Sequence, residues 1–206
     1  LKNDKEFQAK NYEAALRNVF LKLDQMLLTE RGKKELIDIS NKNSNSGLGS
    51  DDLAYNAGCT ASTALITPTH IYCANAGDSR TVLSERGKAV DLSIDHKPEL
   101  PSEKTRIYQA GAVVEEGRVN GTIAISRAIG DWEYKGRSLP PEKMAVSAVP
   151  EIKVHQITSQ ADFLIIACDG IWDCMSSQQA VDYVNQARKK MESYTPKASS
   201  PTKTST

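Results

Sequence analysis

The chain has 206 residues, 26 Lys+Arg against 26 Asp+Glu and three His, so its net charge of zero gives no electrostatic reason to expect nucleic acid or an anionic membrane as partner. That length suits one domain with a sizeable core, and a charged fraction of 25% is ordinary for a globular protein. The four cysteines, Cys59, Cys73, Cys168 and Cys174, form no CxxC pair, and three of them lie in or beside apolar runs, where reduced, buried thiols are expected.

No apolar stretch reaches the length of a membrane span, and the residues after Leu1 lack the apolar core of a signal peptide. We therefore expect an intracellular protein, cytoplasmic or nuclear, and a monomer. The start at Leu1 rather than Met points to a fragment.

In chain order, Leu16, Val19, Phe20, Leu23 and Leu27 recur at helical spacing, which predicts an amphipathic helix over 11–28 with its Lys and Asp residues on the outer face. The polar stretch 41–56 has little to bury and reads as a mobile loop. Short β-prone runs follow at Ser62–Thr67, Ile71–Ala76, Arg80–Ser84 and Ala89–Leu92. Turn signals at Pro68-Thr69, Gly77-Asp78 and Arg86-Gly87 separate them, as in an antiparallel meander. Ser102 and Glu103 open a short helix that Gly111 can end, and Gly117 and Gly121 mark a second mobile loop. Strands are predicted at Ile152–Ile157 and Asp162–Cys168. A helix capped by Ser177 then runs to about Lys190, with Ala180, Val181 and Val184 inward. Residues 192–206 are rich in Ser, Thr, Pro and Lys and read as a disordered tail or linker. Strands in runs, without strict βαβ alternation, favour an α+β layered sandwich.

The chemistry concentrates at two strand ends. Asp169 follows the apolar run Phe163–Cys168, which reads as a strand buried on both faces, and Gly170 behind it lets the chain turn sharply. Asp173 comes four residues later, and Asp78 ends the strand Ile71–Ala76 in a Gly-Asp-Ser turn. Three carboxylates brought together would raise one another's pKa unless a cation joined them. An all-oxygen set suits Mg²⁺ or Mn²⁺, whereas zinc asks for His and Cys at fixed spacing. Other readings stay open: Asp78 as a turn-capping acid, Asp173 as a helix-start acid favoured by the macrodipole, His96 as an organiser of its loop, and Asn120-Gly121-Thr122 as a chance sequon. A cysteine-nucleophile phosphatase is set aside, because none of the four cysteines has an Arg six positions on.

Six segments in register resemble one family. They are Gly58-Cys59-Thr60-Ala61, Ala74-Asn75-Ala76-Gly77-Asp78-Ser79-Arg80, Asp95-His96-Lys97-Pro98, Arg118-Val119-Asn120-Gly121, Ser126-Arg127-Ala128-Ile129-Gly130-Asp131 and Ala167-Cys168-Asp169-Gly170-Ile171-Trp172-Asp173. Their order is that of the metal-dependent protein serine/threonine phosphatases of type 2C, the PPM family. The resemblance implies a β-sandwich of two antiparallel sheets flanked by helices. It also implies two core Mn²⁺ or Mg²⁺ ions with a weaker third, and phosphoprotein substrates cleaved by a metal-activated water. Asp169 is then a ligand of the core pair, and Asp78, Asp169 and Asp173 resemble the ligands of the third ion. The segment around 113–120, with Arg118, Asn120 and Gly121, resembles the flap beside the cleft.

The family's Asp-Gly-His-Gly segment, its catalytic His, its phosphate-binding Arg and its late Asp-Asn motif have no counterpart in these residues, so no catalytic side chain is assigned here. We expect residues 1–191 to be part of such a domain whose remainder lies outside the 206 residues. The competing expectation is a catalytically dead relative that serves as a scaffold for a protein partner.

Overall fold

The computed structural model describes residues 1–43, 50–136 and 138–194. The helices α1 (Lys5–Gln8), α2 (Tyr12–Met26), α3 (Glu30–Asn43) and α4 (Ser50–Asn56) come before the first strand. The stretch 41–56, expected as a loop, is thus helical at both ends, and residues 44–49 lie outside the described residues. Ala54 is fully buried and α4 packs against β-structure and a 3₁₀ turn downstream. Tertiary contact outweighs its polar composition. Thr29 starts α3, its hydroxyl accepting the Gly32 N–H at 3.1 Å.

The strands β1 (Gly58–Cys59), β2 (Ala61–Ile66), β3 (His70–Ala76), β4 (Arg80–Glu85) and β5 (Lys88–Asp91) follow. After them come α5 (Pro101–Gln109), β6 (Val114–Glu115), β7 (Arg118–Val119), β8 (Ile129–Gly130), 3₁₀ turns at Trp132–Tyr134 and Pro141–Lys143, β9 (Glu151–Gln156), β10 (Ala161–Ala167), α6 (Asp169–Trp172) and α7 (Ser177–Tyr194). Two antiparallel sheets, in the orders β2-β3-β9 and β10-β4-β5, form the sandwich, with small pairs β1-β8 and β6-β7 beside them. The expected four-strand meander is therefore two hairpins in different layers. The chain changes sheet at Gly77-Asp78-Ser79, where Gly77 takes φ +112° and a Cβ would strike the Thr60 side chain.

Period-two alternation sorts the side chains of each strand. Ile71 and Cys73 of β3 join Leu83 of β4, Leu92 and Leu164 of β10 between the sheets. Ala74 and Ala76 of β3 turn the other way, onto Leu16 and Phe20 of α2. Val82 of β4 and Phe163 and Ile165 of β10 pack on Ala180 and Val181 of α7. The layers are therefore helix, sheet, sheet, helix. Each fully buried Leu or Phe among them contributes about 1.5–3 kcal/mol.

Five expectations are corrected. Strand β10 is half-buried rather than buried on both faces: β4 is its neighbour on one side, and Ile166 is 47% exposed. Of the cysteines only Cys73 is buried, because Cys59 and Cys168 sit where short or edge strands end and Cys174 lies past α6. The segment with Gly117 and Gly121 is an ordered hairpin, β6-β7, whose Glu116-Gly117 corner takes two left-handed residues and whose Val119 is fully buried. Helix α7 is capped by Ser176 rather than Ser177. The Gln179 N–H donates to the Ser176 hydroxyl at 3.3 Å, and the Ser176 N–H donates to the Gln179 carboxamide at 2.8 Å, a reciprocal capping box. The helix continues to Tyr194, three residues into the stretch read as a tail, and residues 195–206 lie outside the described residues.

Candidate metal centre

The register of the β4–β10 pair sets the geometry of the acidic edge. Ala167 pairs with Arg80 in an antiparallel ladder, so two residues beyond Ala167 and two residues before Arg80 fall at the same end of the pair. Those positions are Asp169 and Asp78. Asp169 opens α6 and is exposed, and Asp173 caps the C-terminal end of that short helix, also exposed. The helix-start reading of Asp173 is therefore excluded. The chain passes from β10 into a helical turn directly after Cys168, and Gly170 does so without a left-handed φ.

Asp78 is buried, and its Oδ2 accepts a hydrogen bond from Lys97 Nζ at 2.5 Å. The charge of Asp173 also acts on Lys97. Partial burial opposes the Lys97 charge, but the hydrogen bond to Asp78 and the charges of Asp78, Asp173 and Asp95 more than offset it and hold its pKa above the ordinary lysine value. Asp78 thus bonds the ammonium group directly, and Asp173 acts on it through its charge alone. Among the described residues no group of three or more His, Cys, Asp or Glu side chains is drawn together as a complete metal cage. The donor type, carboxylate oxygen at Asp78, Asp169 and Asp173 on one end of the β4–β10 pair, is that of a hard divalent ion.

Three residues outside the expected ligand and flap set hold this edge in place. Arg80 makes a bidentate pair with Asp95 at 2.8 and 2.7 Å, reaches Ser177 at 3.1 Å and stacks 5.1 Å over the Trp172 ring. It ties β4, the 95–98 loop and the α6–α7 segment together. His96 is 1% exposed, and its Nδ1 contacts both the N–H and the C=O of Gly77 at 3.2 and 3.1 Å. Burial, then the Arg127 charge, push its pKa down. A neutral imidazole that braces the Asp78 turn fits the loop-organising reading.

Glu103 is the third, at 1% exposure. It accepts from Arg127 Nη2 at 2.6 Å, from Arg106 Nη1 at 2.7 Å and from the Ser126 hydroxyl at 2.7 Å, while Ser126 also bonds the His96 carbonyl. The Ser126-Arg127 segment is thereby fixed behind the 95–98 loop.

The flap residues are engaged in building the flap. Arg118 Nη1 donates to the Thr122 carbonyl at 2.7 Å, Asn120 Oδ1 accepts from the Val113 N–H at 3.1 Å, and Asn120 and Gly121 both take left-handed φ. At the hairpin's corner a Cβ on Gly117 would lie 3.7 Å from the Glu99 carboxyl, so the flap stands beside the segment that carries Lys97. The Cys59 thiol is exposed, and partial desolvation followed by the Asp131 charge raises its pKa, which lowers its thiolate character.

A two-sheet sandwich between helices, with acidic residues at the ends of its central hairpins, defines the class of protein. The sequence profile described as Protein phosphatase 2C matches residues 1–205. The chain is 48% identical over 197 residues to Protein phosphatase 2C homolog 2 of Schizosaccharomyces pombe, covering 93% of this chain and 48% of that protein. It is 44% identical over 193 residues to Probable protein phosphatase 2C 5 of Paramecium tetraurelia, covering 93% and 63%. Among solved structures, serine-threonine phosphatase 2C from Toxoplasma gondii shares the fold with a TM-score of 0.59 at 24% identity, over 89% of this chain and 60% of that one. This chain belongs to the protein phosphatase 2C family. It spans about half to under two thirds of the length of these curated relatives.

Proposed function

We propose that the whole protein is a protein serine/threonine phosphatase that hydrolyses phosphoserine and phosphothreonine in phosphoproteins with Mn²⁺ or Mg²⁺. The observation that carries this reading is the β4–β10 register, which places Asp78 and Asp169 at one end of the ladder in a chain of this family. Asp169, exposed on the first residue of α6, is the ligand to the core pair of ions, and Asp78 and Asp173 join it toward a weaker third. Bound divalent ions would supply Lewis-acid stabilisation of phosphoryl charge and an acidified water. The chain's own part is to present carboxylates on a rigid edge. Arg80 fixes the β4 end and the α6–α7 segment, His96 braces the Gly77-Asp78 turn, and the β6-β7 hairpin, with Arg118, Asn120 and Gly121, borders the approach. A monomer inside the cell, cytoplasmic or nuclear, without nucleic acid among its partners, belongs to the same reading. Among the described residues no helix is long and apolar enough to cross a membrane.

The test is Mn²⁺-dependent hydrolysis of a phosphothreonine peptide by the whole protein. Asp169→Asn is expected to lower turnover by at least about 100-fold, a loss at the upper end of what is seen when groups supporting a metal are changed. Undiminished turnover in Asp169→Asn removes Asp169 from the metal centre and the reading with it.

A further inference from the structure

The cation already resting on Asp78 belongs to the protein itself. Lys97 Nζ lies 2.5 Å from Asp78 Oδ2, and among the described residues it is the group that donates to that carboxylate. The two partners differ in accessibility. The Asp78 side chain is 7% exposed and the Lys97 side chain 44%. By contrast, the Lys135–Asp24 pair is sealed, with the lysine side chain 0% exposed, and Arg80 grips Asp95 with two parallel hydrogen bonds.

The backbone beneath Lys97 is fixed while its side chain is not. His96 and Pro98 on either side are buried, and the Lys97 N–H bonds the Asp95 carbonyl at 2.9 Å. Four methylenes and a solvent-facing path let the ammonium leave Asp78 without moving the loop.

We infer that Lys97 is a tethered competitor of the divalent cation at Asp78 and Asp173, held on Asp78 when the ion is absent and expelled into solvent when the ion binds. The inference rests on the metal-site reading above and adds a regulatory element to it. Lys97 now takes Oδ2, one of the two Asp78 oxygens open to a divalent ion, and an ammonium left a few ångströms from that ion would be repelled by it. Occupancy by the two cations is therefore antagonistic. The weakness of this ion relative to a core pair then has a cause in the chain: its binding works against a short, charge-assisted hydrogen bond to a largely desolvated carboxylate. Any covalent change that neutralises the Lys97 amine would act in the opposite direction and favour the ion.

The experiment uses the full chain and Mn²⁺ alone, followed by calorimetry and by the loss of the free-Mn²⁺ electron paramagnetic resonance signal. Lys97→Gln is expected to tighten Mn²⁺ binding about tenfold, within the range of ordinary coupling between sites. Lys97→Arg, which keeps the charge, should not, and adding Asp78→Asn to Lys97→Gln should abolish the gain. A second measurement needs no variant: acetylation of Lys97 by an amine-reactive ester, read by mass spectrometry, should quicken when Mn²⁺ is added. Equal, Asp78-dependent affinities in wild type and Lys97→Gln, or a labelling rate indifferent to Mn²⁺, overturn the competitor while the metal site stands. No Mn²⁺ binding at millimolar metal in folded Lys97→Gln overturns both. Because Asp169→Asn turnover is measured separately, failure of the competitor is not mistaken for failure of the phosphatase reading.

Discussion

Lys135 Nζ donates to Asp24 Oδ1 at 2.5 Å across 111 residues of sequence, and neither side chain reaches solvent appreciably. The same carboxylate oxygen accepts the Gly130 N–H at 2.7 Å, the Trp132 indole N–H donates to the Asp24 carbonyl at 3.1 Å, and Lys135 also donates to the Ala128 carbonyl at 2.9 Å. Helix α2 is thereby clipped to the loop that follows the Ser126–Asp131 segment. Burial pulls the Lys135 pKa down, and Asp24 acts against that pull.

Removing one partner leaves a buried charge without its counter-ion, which is far more costly than losing a surface pair. Asp24→Ala is expected to lower stability by about 3–5 kcal/mol, seen as a drop in the urea midpoint. Asp24→Leu combined with Lys135→Met should recover part of the loss, since no buried charge is left unpaired, while the Gly130 N–H and the Ala128 carbonyl lose their partners. An Asp24→Ala midpoint within error of wild type would show that the clip is idle.

Glu103 makes stability depend on acid pH. Burial alone would raise its pKa, but the hydrogen bonds and charges of Arg127 and Arg106, with the Ser126 hydroxyl, bring it down from 4.5 to about 2. A carboxylate whose folded pKa lies below its unfolded value stabilises fully above the unfolded value and loses that contribution as pH falls toward the folded one. The window is therefore pH 4.5 down to about 2, and the contribution is about 3 kcal/mol. Urea unfolding from pH 6 to pH 3 should show wild type losing stability more steeply than Glu103→Gln. The variant should be weaker at pH 6, because Arg106 and Arg127 are left unpaired, and the two curves should converge in acid. Parallel curves would remove Glu103 as the source.

The strand pattern was legible in the sequence because alternation and turn chemistry act locally. β2 to β5, β9 and β10 lie within a residue or two of the predicted runs. Which sheet each hairpin joins was not legible, since that depends on Gly77 and on what packs across the sandwich. Asp24 shows the same limit. It lies on the stripe of Leu16 and Phe20 at intervals of four, yet Leu23 was read as inward and the acids as outward. The structure leaves Leu23 44% exposed and Asp24 3%. An acid on an apolar stripe was the available signal, but its partner Lys135 is distant in sequence and no local rule pairs them. At the acidic edge, motif order marks Asp78, Asp169 and Asp173, whereas the engagement of Asp78 by Lys97, 19 residues away in sequence, follows no local rule.

The glycines near the acidic edge separate steric need from habit. Gly170 was read as a turn-maker, but it lies in helical backbone, is exposed, and would place a Cβ 3.6 Å from Cys168 Sγ, an ordinary contact. Gly170→Ala should therefore be neutral or stabilise by about 0.4–1 kcal/mol through a less flexible unfolded chain. Gly58 and Gly130 differ. A Cβ on Gly58 would meet the Asp131 carboxyl at 2.2 Å, and Gly130, at φ +81°, would drive its Cβ to 2.1 Å from the Ala57 carbonyl. The β1-β8 pair brings the two backbones together, and the Gly130 clash, which is with backbone, cannot relax by moving a side-chain end. Gly130→Ala adds left-handed strain to overlap with backbone and should cost more than Gly58→Ala, where the Asp131 side chain can shift. The expected order of melting temperatures is Gly170→Ala at or above wild type, then Gly58→Ala, then Gly130→Ala. Gly170→Ala falling below Gly58→Ala would mean that the α6 entry is tighter than its backbone shows.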